Sequence, residues 1–237
     1  MCREHYRRYH SDRDCSRRRL LTENAHQFQC TPKEAVALQR RLAPFIEERP
    51  LPSPPRTVAG FDLSIRGDRA RVAAVVIDIE SLDTVDETVI ETEILFPYVP
   101  GLLSFREAPA VLAAHDALLV PPDLLMLDGQ GRAHPRRFGI ACHVGLVLGV
   151  PAVGIAKSLL VGRGAVPGPV RGETAPIVHR GEIVGAALRT RTGVTPVYVS
   201  VGHLITLEEA VELGLQLAPR LRIPEPTHRA HVLAGRW

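Results

Sequence analysis

The chain has 237 residues, 45% of them hydrophobic and 23% charged, with 29 basic and 26 acidic side chains for a formal net charge of +3. These are the proportions of a folded globular protein with ample core. They exclude a low-complexity chain, and no run approaches the ~18 apolar residues of a membrane span. The mild charge does not mark a nucleic-acid binder, although a pI of about 8.8 leaves room for a local basic patch.

Residues 1–28 differ from the rest. MCREHYRRYHSDRDCSRRRL is rich in arginine, poor in apolar residues and aperiodic, the pattern of a disordered basic leader. It lacks the apolar segment of a secretory signal. Cys2, His5, Cys15, His26 and Cys30 fit no common zinc spacing, and the four cysteines contain no CxxC pair, so a reducing cytoplasm is expected. One domain is expected over 29–237.

Thr31–Pro32–Lys33–Glu34 reads as a helix start, with Thr at the cap, Pro first in the helix and Glu closing a capping box. Ala35, Leu38, Leu42 and Phe45/Ile46 give its apolar face. After the break at LPSPPR, strands are expected at Thr57–Ile65, Arg71–Asp78 and Thr88–Phe96, joined by short polar turns such as Arg66–Gly67–Asp68. A helix follows from about Ser104 to Leu119, a buried strand at Asp123–Asp128, a helix at Arg136–Leu148 and a strand at Pro151–Ile155. Further strands near Pro176–Val178, Glu182–Arg189 and Pro196–Ser200, and two terminal helices, complete the chain. No internal repeat is visible.

Three strands, helix, strand, helix, strand is the order of an α/β ribonuclease H-like fold. An antiparallel meander continues into parallel strands by right-handed crossovers, and helices flank the mixed sheet. In that topology the first strand lies parallel beside the strand after the first helix, so Asp62 and Asp128 become neighbours and the intervening helix supplies Glu107.

These acids stand in unusual places. Leu124–Leu125–Met126–Leu127 ends in Asp128 and the turn Gly129–Gln130–Gly131; Asp62 interrupts Val58–Leu63; Glu107 follows Leu103–Arg106. Any one of them alone is an ordinary strand-end or surface acid. Carboxylates within apolar runs are costly unless paired or cation-bound, so three together point to a divalent-metal site. Oxygen donors without Cys or paired His suit Mg²⁺ or Mn²⁺ rather than Zn²⁺.

Elsewhere, Phe96–Pro97–Tyr98–Val99–Pro100–Gly101 brackets a tyrosine with prolines, either as a pre-ordered aromatic tip or as a turn with Tyr98 packed on the core. Asp128–Arg136 mixes glycines with arginine and His134, allowing close backbone approach to a ligand. Lys157 follows the strand Pro151–Ile155, and Arg222–Thr227 leads into a helix bearing His228 and His231.

Taken in order, FDLS, FPYVPGLLSFREAP, LDGQGRAHPRRFGIACHVG, GIAKS, VSVGHL and RIPEPTHRAH resemble the motif series of the endonuclease V family, from about Val58 to His231. The resemblance implies a ribonuclease H-like fold and metal-binding acids at Asp62, Glu107 and Asp128. It places a strand-separating wedge at Tyr98, a lysine beside the scissile phosphate at Lys157 and an active-site histidine at His231. Substrate contacts are implied at Pro97, Tyr98, Val99, Pro100, Gly101, Gly129, Gln130, Gly131, His134 and Gly139. Ala108 stands where many members have Gly, and Cys142 where they commonly have Ser.

The activity so implied is metal-dependent cleavage of DNA containing deoxyinosine, with Mg²⁺ as cofactor and Mn²⁺ as substitute. The cut would fall at the second phosphodiester bond 3′ to the lesion, leaving 3′-hydroxyl and 5′-phosphate ends in DNA repair. The expected protein is a cytoplasmic monomer without membrane partners. Alternatives are an endoribonuclease acting on inosine in RNA and a non-catalytic binder of lesions or branched DNA. A carboxylate-pair glycosidase leaves the basic and glycine-rich motifs unexplained.

Overall fold

In the computed structural model, which describes residues 28–164 and 166–236, Thr31 and Glu34 close the expected capping box at the start of helix α1 (Pro32–Leu42). The Thr31 hydroxyl accepts the Glu34 N–H at 3.4 Å, and the Glu34 carboxylate accepts the Thr31 N–H at 2.8 Å. Such a cap stabilises a helix by about 1 kcal/mol. Residues 1–27 of the basic leader lie outside the described residues. Phe28, its last residue, is packed, with its ring centroid 4.9 Å from His143 and 6.3 Å from Phe105.

Strands β1 (Thr57–Arg66), β2 (Arg69–Asp78) and β3 (Thr84–Glu93) form the antiparallel meander. The β1–β2 turn has Gly67 at φ 64, the left-handed geometry of a tight hairpin. Strand β3 begins and ends earlier than the sequence suggests. Ile94–Leu95–Phe96 reads as strand by composition, but Phe96 turns away from the sheet and is buried with its ring centroid 5.6 Å from that of Phe105.

The chain continues through α2 (Leu103–Asp116), β4 (Leu124–Asp128), α3 (Ile140–Leu148) and β5 (Ala152–Ala156). Helix α3 starts four residues later than expected, because Arg137 sits at φ 57 and cannot extend a right-handed helix. After it come β6 (Arg163–Gly164), β7 (Thr174–His179), β8 (Glu182–Leu188), β9 (Val197–His203), α4 (Leu207–Gln216) and α5 (Glu225–Ala234).

Among the described residues nine strands form one sheet of order β3-β2-β1-β4-β5-β9-β8-β7-β6. Strands β1, β4 and β5 are parallel, and the other pairings are antiparallel. This is the ribonuclease H-like arrangement. Helices α2 and α3 cover one face, where Ala108, Val111 and Val144 cluster with Ala59, Leu125 and Ala152. Helices α4 and α5 cover the other, where Leu213, Ala230 and Ala234 cluster with Val58, Met126 and Ile155. Covered on both sides, β4 and β5 are apolar almost throughout. Helix α1 adds a third layer, packing Leu38 and Leu42 with Leu102, Phe105, Phe138 and Leu146. Among the described residues no helix is long and apolar enough to cross a membrane.

Candidate functional site

The parallel pairing of β1 with β4 sets the site. Phe61 is opposite Leu127 at the last paired position; β4 then ends at Asp128, while β1 runs on through Asp62 to Arg66. Asp62, midway along β1, and Asp128, at the carboxyl end of β4, therefore stand side by side where β1 loses its β4 neighbour. Glu107, from the second turn of α2, joins them. The three acids share a cleft of about 200 Å³ whose other walls are apolar, including Phe61, Leu103, Val111 and Ile140.

The cleft disfavours charge on two of its acids. Burial pushes the Glu107 carboxyl up to about 7, and the negative charges of Asp128 and Asp62 push the same way. Burial also raises Asp62, against the favourable hydrogen bond from His231. Among the described residues no three Asp, Glu, His or Cys side chains are already gathered at coordinating distance. The donor set nevertheless fits a hard divalent cation: oxygens only, gathered in one small cleft, with Asp128 and Asp62 raising the pKa of Glu107.

Two further polar groups reach the acids from other elements. Lys157, just beyond β5, places Nζ 2.5 Å from Asp128 Oδ2, following from the pairing of Ile155 with Asp128. His231, on α5, places Nδ1 2.9 Å from Asp62 Oδ2. Helix α5 comes this near because β1 carries glycine at position 60: a Cβ there would lie 2.1 Å from the Pro226 carbonyl carbon. The carboxylate oxygen can only accept, so it takes the Nδ1–H of an exposed imidazole.

A second cavity, of about 300 Å³, shares Asp128, Leu103 and Ile140 with the acid cleft. Tyr98, Val99, Pro100 and Gly101 line it from one loop, Gly129, Gln130, His134 and Gly139 from another, and Lys157 from the end of β5. Tyr98 is 72% exposed, so it is a protruding tip and not a core residue. Gln130 Nε2 donates to the Ser158 carbonyl at 2.9 Å, while its buried Oε1 has no hydrogen-bond partner among the described residues. His134 is buried, and burial and the Arg136 charge push it down to about 4. It is therefore neutral at physiological pH, and Nδ1 accepts the Arg136 N–H at 3.2 Å.

Pro97 and Gly131 do not line this cavity. Gly131 lies behind it: its N–H donates to Ser200 Oγ at 2.8 Å, and a Cβ would meet the Val201 carbonyl oxygen at 2.0 Å. Among the lining residues that the sequence did not single out are Gln39, Ser158, Leu159 and Leu160. Gln39 had a readable signal, a polar residue in the buried stripe Ala35, Leu38, Gln39, Leu42. The exposed Leu159–Leu160 pair directly follows GIAKS.

The Endonuclease V family model matches residues 40–232. An Endonuclease V from Myxococcus xanthus is 51% identical over 218 residues, covering 91% of this chain and 93% of that protein. The crystal structure of the Endonuclease V from Streptomyces avermitilis superposes with a TM-score of 0.84 at 45% identity, covering 89% of this chain and 94% of that one. A crystal structure of Ciona intestinalis Endonuclease V in complex with a 24mer DNA containing an inosine followed by a ribo-adenosine shares the fold, with a TM-score of 0.75 at 24% identity, covering 85% of this chain and 95% of that one. The chain belongs to the Endonuclease V family and is an endonuclease.

Proposed function

We propose that this chain is a divalent-metal-dependent endonuclease that recognises deoxyinosine in DNA. It hydrolyses the second phosphodiester bond 3′ to the lesion, leaving 3′-hydroxyl and 5′-phosphate ends, and acts in cytoplasmic repair of deaminated bases. The observation that carries the reading is the shared wall at Asp128: an acid cleft adjoins a separate, base-sized pocket. Two adjoining sites suit a reaction whose cut is displaced from the base it recognises. The Ciona relative's inosine-containing DNA supports the substrate class.

Asp62, Glu107 and Asp128 would hold Mg²⁺, or Mn²⁺ in its place. Bound there, the ion supplies charge for the attacking and leaving oxygens of a phosphodiester. The chain's own groups do the rest. Lys157 offers positive charge to the phosphate as negative charge builds on it. His231, oriented by Asp62, presents Nε2 to take a proton from water. The glycine-rich loop after Asp128 lets backbone approach an extruded base, while Tyr98 fills the gap left in the duplex. Gln130 Oε1 suits the N1–H of hypoxanthine, at a position where adenine has a lone pair instead.

The test is cleavage of matched oligonucleotides bearing inosine or adenine, with Mg²⁺, Mn²⁺ or chelator. Cutting that requires both inosine and metal is expected, with Gln130→Met narrowing the inosine preference. Cutting that is indifferent to the base, or persists in chelator, contradicts the proposal. A second reading, cleavage of inosine-containing RNA, draws on the ribo-adenosine beside the inosine in the Ciona complex. RNA strands in the same assay decide it.

A further inference from the structure

Gln39 is fully buried in the apolar face that α1 turns to the protein, between Leu38 and Leu42. A buried amide left unpaired costs about 1–3 kcal/mol, so a glutamine there needs partners. It uses both ends of its side chain. Nε2 donates to the carbonyls of Gly101 at 3.1 Å and Phe138 at 3.0 Å, and Oε1 accepts the Arg136 Nε–H at 2.5 Å.

Those partners belong to two loops. Gly101 closes the segment that carries Tyr98, whereas Arg136 and Phe138 end the segment that carries Gln130 and His134. Both loops are walls of the 300 Å³ cavity, and Gln39 itself lines it. The Gly101 carbonyl also accepts Arg136 Nη2 at 2.6 Å and the His134 ring Nε2–H at 2.9 Å. Three donors, from α1 and from the second loop, converge on one oxygen that has only two lone pairs. The base of the Tyr98 loop is thus held from more directions than hydrogen-bond satisfaction requires.

We propose that Gln39 is a positioning residue for lesion recognition, tying the Tyr98 loop to the glycine-rich loop and so fixing the point from which Tyr98 enters the duplex. The inference rests on the function proposed above. Gln39 touches neither the acids nor Lys157, so its influence runs through loop placement and falls on substrates that must be unstacked.

Gln39→Leu keeps the volume and removes all three bonds. Affinity for a duplex containing one deoxyinosine should fall about tenfold, the scale of one lost ordering interaction. Affinity for the matching single strand should change less than about threefold, as should the single-turnover rate at saturating enzyme. On a Tyr98→Ala background, Gln39→Leu should cost little more, because both act through the same loop. If Gln39→Leu does not fold, Arg136→Met removes donors to Gln39 and Gly101 from a partly exposed position and is read in the same way. A folded variant with unchanged duplex affinity, with equal loss in duplex and single strand, or with fully additive losses alongside Tyr98→Ala, overturns the proposal. Failure of the unmodified protein to prefer inosine over adenine in this assay would instead overturn the functional reading beneath it.

Discussion

His231 and Asp62 lie 169 positions apart in the chain and meet at 2.9 Å, Nδ1 to Oδ2, beside the two other acids of the cleft. Helix α5 rests on the bare backbone of Gly60, so a packing detail on one face of β1 brings His231 within reach of the cleft. A single carboxylate, Asp62, thereby serves the proposed metal and orients the proposed base.

Asp62→Asn and Asp128→Asn should each abolish cleavage while leaving the fold intact. The amide keeps the shape and removes the charge that would hold the ion. Burial disfavours the charged form of Asp62, so its variant should melt no lower than the unmodified protein. Mg²⁺ should raise the melting temperature of the unmodified protein at pH 8 and not that of Asp128→Asn. An equal shift in both would place the ion elsewhere.

Lys157→Ala should slow the chemical step more than it weakens binding, as the proposed action of its charge on the transition state requires. Single-turnover kinetics at saturating enzyme separates the two. An unchanged rate with a weaker dissociation constant would make Lys157 an ordinary phosphate contact.

Much of this site is legible in the sequence for a simple reason. Strand β4 is short, wholly apolar and ended by an acid and a glycine-rich turn, and one parallel pairing then determines that Asp62 is beside Asp128. What stays hidden depends on long-range packing. The end of β3 is decided by Phe96 finding Phe105 and not by its own β-propensity. The start of α3 is decided by the left-handed Arg137, which is held by Glu182 and His179 from a distant hairpin. Gln39 and Gly131 trade places with expectation, the first lining the pocket and the second buttressing it from behind, because only the fold shows which side of each loop faces the cavity.

Tyr98→Ala should weaken binding to duplex deoxyinosine by roughly ten- to hundredfold, the equivalent of the ~1–3 kcal/mol that stacking on an aromatic is worth. Inosine in single strands should be affected less, since little unstacking is needed there. With 72% of the residue exposed, thermal stability should barely change. A melting temperature several degrees lower with lesion preference retained would show a packing role instead.

His134 predicts a pH dependence of stability. Its folded value is pushed down to about 4, against an unfolded value near 6.5. Between these values the unfolded chain binds more protons, so stability falls as pH drops through the window and is fully present above about pH 6.5. The linked loss is about 3 kcal/mol. Urea midpoints measured from pH 7 to pH 4 should therefore decline more steeply in the unmodified protein than in His134→Gln. Parallel curves would show that this histidine does not control the acid transition.

In the proposed reaction the acid cleft cuts a bond offset from the base held in the neighbouring pocket. Mapping the product ends at single-nucleotide resolution, on a duplex with one deoxyinosine, tests it most directly. One nick is expected, at the second phosphodiester bond on the 3′ side, with 3′-hydroxyl and 5′-phosphate ends, absent in Asp128→Asn. Cleavage at the bond next to the lesion, on its 5′ side, or at the glycosidic bond would contradict it.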